Sequence, residues 1–89
     1  MRNKIILITG STDGIGRHAA VELAALGATV IVHGRNKVRG LVVVEEIQKS
    51  TGNQKVDLVI ADLASLKQVR ELASEVQRRY DHLDVLLNN

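Results

Sequence analysis

Residues 9–16 read Thr9-Gly10-Ser11-Thr12-Asp13-Gly14-Ile15-Gly16 and decide how the rest of the chain is interpreted. They follow the apolar run Ile5, Ile6, Leu7, Ile8 and precede Ile15, Ala19, Leu23 and Leu26 at helical spacing, with Ala20 and Ala24 beside them. A continuous short apolar run is the signature of a strand buried on both faces, and the period that follows is that of a helix with one apolar face. Three glycines therefore sit where a strand turns into a helix.

Each glycine has its own use in that position. Gly10 allows a sharp turn out of the strand, Gly14 allows backbone to come close to a pyrophosphate, and Gly16 allows the helix to pack tightly on the sheet. Ser11, Thr12, Asp13 and Ile15 belong to the same loop and helix N-terminus, whose unpaired N–H groups face an anion. The competing reading is a tight strand-to-helix turn that holds no ligand.

Outward from the loop, Gly27 ends the helix, and Ala28–Val32 forms a second strand closed by the turn residues His33, Gly34, Arg35 and Asn36. Strand, helix, strand makes one right-handed crossover. Lys37–Ser50 is expected to be helical from its context, with Val38, Leu41 and Ile47 on one face, although Gly40 and the run Val42, Val43, Val44 weaken the propensity. Thr51, Gly52 and Asn53 break it before a third strand, Val56–Ala61, in which Asp57 is the only charge. Ser65 and Gln68 form a capping-box pattern ahead of Val69, Leu72, Val76 and Tyr80. Asp84 then introduces Val85, Leu86 and Leu87, expected to be a fourth buried strand. The order βαβαβαβ specifies an α/β fold: a partial doubly wound Rossmann fold of four parallel strands in order 3-2-1-4 with three helices.

Composition agrees. Of 89 residues, 45% are hydrophobic and 25% charged, which suits one globular domain and not a disordered chain. With no Trp, Phe, Pro or Cys, and Tyr80 as the single aromatic, the core must be built from Val, Ile, Leu and Ala. The absence of cysteine excludes disulfides and thiolate zinc sites and favours a cytoplasmic setting. Ile5–Ile8 is too short for a signal core or a membrane span. A dispersed net charge of +2 gives no expectation of nucleic-acid or membrane partners.

The spacing G-x-x-x-G-x-G behind Thr9, with His33-Gly34-Arg35 after the second strand, Ala61-Asp62-Leu63 after the third and Leu86-Leu87-Asn88-Asn89 at the fourth, resembles the short-chain dehydrogenase/reductase family over the whole chain. That resemblance implies that Asp62 hydrogen-bonds an adenine amino group and that the Leu63 amide helps hold the ring. It also implies that Asn88 lies beside the adenine ribose and braces the central strand. Read from the sequence alone, the competing reading of Asp62 is a plain turn or cap aspartate. The family's chemistry uses a Tyr, a Lys four residues later and an upstream Ser; Tyr80 is followed at that distance by Asp84, so no catalytic residue is expected within residues 1–89. The chain is expected to be the dinucleotide-binding half of the domain, ending before the catalytic half, an oxidoreductase by family resemblance and inactive alone.

An acidic residue about twenty positions beyond the glycines selects NAD, whereas an Arg accommodates a 2′-phosphate. Here Arg35 stands there, with Lys37 and Arg39 behind it and no carboxylate between His33 and Val44, which favours NADP(H) over NAD(H). Against this stands Asp13, where some NADPH-selective relatives carry a basic residue, and Arg35 also reads as a solvated turn charge. His33 reads as a neutral packing or hydrogen-bonding residue. Two other functions remain open: a non-catalytic nucleotide-binding module, and an oligomeric assembly protein built from half-Rossmann units. A homo-oligomer joined through the fourth-strand edge or uncovered faces is expected.

Overall fold

The computed structural model describes residues 1–89. Its elements are β1 (Ile5–Ile8), α1 (Gly14–Ala25), β2 (Thr29–Gly34), α2 (Lys37–Thr51), β3 (Val56–Ile60), α3 (Leu66–Arg79) and β4 (Val85–Leu87). The four strands form one parallel sheet in the expected order β3-β2-β1-β4. No helix is long and apolar enough to cross a membrane.

Strand alternation divides the core into two layers. Ile6, Ile8, Val30 and Val32 point to the face covered by α1 and α2, where Ala20, Ala24, Val43 and Ile47 meet them. Leu7, Ile31, Val59 and Ala61 belong to the opposite layer, covered by Leu72 and Val76 of α3.

Four expectations are corrected. The buried face of α1 is Gly16, Ala20 and Ala24, while Ile15 and Leu26 are 81% and 61% exposed, because small residues let the helix approach the sheet. In α2 the buried face is Gly40, Val43 and Ile47, and Val38 and Leu41 are exposed. Gly40 is the contact residue there: a Cβ would fall 2.6 Å from Leu58 Cδ1. Next, β2 extends through His33 and Gly34, which pair with Val59 and Ile60, so the turn begins only at Arg35. Finally, β4 is exposed along its length, since it pairs with β1 on one side and lies at the edge of the sheet.

The caps follow the sequence more closely. Asn36 Oδ1 accepts the Arg39 amide at 3.0 Å and Ser65 Oγ accepts the Gln68 amide at 3.2 Å. Gln68 does not close the box on Ser65; its Oε1 accepts the Asp62 N–H at 2.7 Å, three residues further back. Tyr80 ends α3 and donates to Asp57, and burial together with that carboxylate pushes the phenol pKa well above its usual value. It is a packing residue held protonated.

The start of β4 is fastened by Asp84, whose Oδ2 accepts the Ile5 N–H at 2.7 Å while its own N–H donates to the Ile5 carbonyl at 2.9 Å. The hydrogen bond from Ile5 lowers the carboxyl pKa below 3.8, assisted by His82 and Lys4. A depressed folded-state pKa contributes stability that is complete above the unfolded value and lost as pH falls through the folded one. The exchange protection factor of the Ile5 amide is therefore expected to hold at about pH 5 and to decline below about pH 4. In Asp84→Asn, which can still accept the bond, this acid step should vanish; a step that persists would place its origin elsewhere.

Candidate functional site

The C-terminal ends of all four strands converge on one side of the sheet. Between them lies a cavity of about 330 Å³ bordered by Gly10, Thr12 and Asp13 of the glycine loop, Arg35 beyond β2, and Asp62 and Leu63 beyond β3. Six of the eleven residues singled out in the sequence thus share one cavity.

The glycine loop is shaped for an anion. Gly10 and Gly14 adopt φ values of +60° and +53°, and a Cβ on Gly14 would meet nothing within 4 Å. At Gly16 a Cβ would stand 2.6 Å from the Gly10 carbonyl oxygen, so only glycine permits the helix to start this close to the loop. The backbone N–H groups of Thr12, Asp13, Gly14, Ile15 and Gly16 have no acceptor within the protein. Asn36 and Ser65 cap α2 and α3 with their side chains, but Asp13, at the N-cap of α1, makes no such bond. Five consecutive donors at the positive end of a helix are what an oxyanion group requires.

Two of the loop residues take other places. Ser11 is fully buried and turned away from the cavity: its Oγ donates to the Ile8 carbonyl at 2.8 Å and accepts the His33 N–H at 2.9 Å. It holds the loop against β2. The Ile15 side chain points to solvent, leaving only its amide to the site.

His33 is a buried hydrogen-bonding residue, as read from the sequence, and the fold supplies the partners that its sequence position did not name. Only 3% exposed, it accepts the Gly10 N–H on Nδ1 at 2.9 Å and meets the Ala61 carbonyl through Nε2 at 2.9 Å. The Gly10 amide can only donate and the Ala61 carbonyl can only accept, which assigns the neutral tautomer protonated on Nε2. One imidazole ties the glycine loop to the end of β3. The β2–β3 register, which sets His33 opposite Val59, is the signal that locates it.

At the other wall, Asp62 Oδ1 accepts the Ala64 N–H at 3.0 Å, a turn geometry that orders the segment carrying Leu63. Asn88 faces β1: Thr9 Oγ1 donates to its Oδ1 at 3.1 Å and accepts the Asn89 N–H at 3.0 Å. Asn89, which sequence reasoning passed over, donates from Nδ2 to the Gly10 carbonyl at 3.2 Å and lines the cavity. Thr9 thus joins the ends of β1 and β4.

The charges around the cavity are unbalanced. Asp13 pairs with Arg39, and Arg17 pairs with Glu46, whereas Arg35 and Lys37 have no ion-pair partner. No group of three or more His, Cys, Asp or Glu could hold a metal ion.

Residues 4–89 match the sequence profile of the short chain dehydrogenase family. The chain belongs to that family. Among its short chain dehydrogenase relatives it is 42% identical over 86 residues to the 3beta-hydroxysteroid dehydrogenase of Mediterraneibacter gnavus, covering 97% of this chain and 30% of that protein. It is 41% identical over 86 residues to retinol dehydrogenase 11 of Homo sapiens, covering 97% of this chain and 27% of that protein. It therefore spans less than a third of the length of either. A solved structure assigned as a short chain dehydrogenase of Escherichia coli CFT073, complexed with NADPH, superposes with a TM-score of 0.91 at 40% identity, covering 100% of this chain and 38% of that one. One from Shigella flexneri 2a, complexed with NADP, gives 0.90 at 40% identity over 100% and 38% of the two chains.

Proposed function

We propose that this chain is the NADP(H)-binding part of a short chain dehydrogenase, and that the protein it represents interconverts an alcohol and a carbonyl compound. The observation that carries the reading is the run of five unpaired amides, Thr12 to Gly16, whose first two residues border the same cavity as the unpaired Arg35. These amides and the α1 N-terminus would hold a pyrophosphate, Arg35 a 2′-phosphate by paired hydrogen bonds, and the Asp62–Leu63 segment an adenine ring. Asn88, hydrogen-bonded to Thr9, would stand beside the adenine ribose. The dinucleotide, when bound, supplies or accepts the hydride. The residues of this chain bind and orient it and move no proton, and residues 1–89 form the cofactor-binding part of the domain. The two structural neighbours complexed with NADPH and NADP support the choice of dinucleotide.

Titration of the chain with NADPH and NADH by heat of binding tests this. NADPH is expected to bind at least about tenfold more tightly, and Arg35→Ala to erase that ratio while leaving NADH affinity within about twofold. Equal affinity of the unsubstituted chain for both would refute the role given to Arg35, and binding of neither would refute the site.

A further inference from the structure

Arg35, Lys37 and Arg39 crowd the first turn of α2, a place where positive charge opposes the helix dipole and where this helix carries no acidic residue. Only Arg39 is compensated: its guanidinium pairs with Asp13, from the glycine loop. Its backbone is fixed by the Asn36 cap, which sets it at the third position of the helix. Asp13 is free to pair because its carboxylate caps no amide of α1, and it borders the same cavity as Arg35.

We propose that Arg39 is a specificity-determining residue for the 2′-phosphate, acting through Asp13. An unpaired carboxylate on that cavity would repel a phosphate dianion bound by Arg35. Paired with Arg39 it contributes no net charge, so Arg35 and Lys37 set the local potential. The α2 guanidinium thereby cancels the negative charge that Asp13 would otherwise present to the phosphate. The inference rests on the dinucleotide reading above and adds to it the origin of selectivity.

The test compares NADPH and NADH affinities in the unsubstituted chain, Arg39→Ala, Asp13→Asn and the double variant. Arg39→Ala is expected to lower the NADPH-to-NADH affinity ratio about tenfold, the effect of one uncompensated charge at a partly screened site. Asp13→Asn alone, which frees Arg39, should raise the ratio. The double variant should return it to within about twofold of the unsubstituted chain, and Arg39→Lys should preserve it. A ratio that stays low in the double variant would show Arg39 acting on the phosphate itself and overturn the proposal. So would an unchanged ratio in Arg39→Ala. A starting chain without NADPH preference overturns the underlying reading as well, which separates the two failures.

Discussion

Gly16→Ala is expected to melt roughly 5–20 °C below the unsubstituted chain and to lose NADPH affinity by at least about a hundredfold. The added methyl would lie 2.6 Å from the Gly10 carbonyl oxygen and 2.8 Å from Asn89 Nδ2. The first obstacle is backbone, so the helix or the loop must move. Overpacking of this kind costs about 1–3 kcal/mol, and in a domain of this size each kcal/mol moves Tm by about 4–8 °C. The displacement also spreads the five unpaired amides, whose common aim gives the anion site its strength. Gly14→Ala is the control. Its Cβ meets no protein atom, and its φ of +53° limits the cost to the strain of a left-handed alanine, about 1–2 kcal/mol. The methyl stands where a ligand would approach, so affinity should fall much further than Tm. Thermal melts with NADPH titrations read both quantities. A Gly16→Ala chain within about 2 °C and twofold of the parent would refute the tight approach.

The architecture was legible because its signals are local. The run Ile5–Ile8, the glycines and the cap at Ser65 each specify their own segment, and right-handed crossovers leave few orders for four parallel strands, of which 3-2-1-4 is the one of the dinucleotide-binding fold. The buried faces of α1 and α2 were not legible by the same means. Hydrophobicity weights Ile15, Leu26, Val38 and Leu41, yet close helix–sheet contact selects Gly16, Ala20, Ala24 and Gly40, which carry little apolar surface. Arg35 could be found by its distance from the glycines. The neutralisation of Asp13 could not, because Arg39 lies 26 residues away and reaches it only once α1 and α2 are packed. Ser11 shows the same limit: its sequence place suggests a ligand contact, and the fold turns its hydroxyl toward Ile8 and His33.

The second large effect is expected at His33. In His33→Leu the Gly10 N–H and the Ala61 carbonyl both lose their contact with the imidazole, at the junction of three strands. A buried polar group left unpaired costs about 1–3 kcal/mol, so the pair together should remove about 2–5 kcal/mol, offset in part by the apolar side chain. That is a large share of the 5–15 kcal/mol typical of a domain. Because the bonds run from the glycine loop to the segment that carries Asp62, NADPH affinity should fall with stability. His33→Gln separates hydrogen bonding from bulk: its amide oxygen can accept from Gly10 and its amide nitrogen can donate to Ala61. Urea denaturation should show this variant recovering at least about half of the stability lost in His33→Leu, with affinity following. In the unsubstituted chain, imidazole nitrogen shifts should report a proton on Nε2 and a lone pair on Nδ1. A ring protonated on Nδ1, or a glutamine chain as weak as the leucine one, would mean that His33 fills space without joining the two walls of the site.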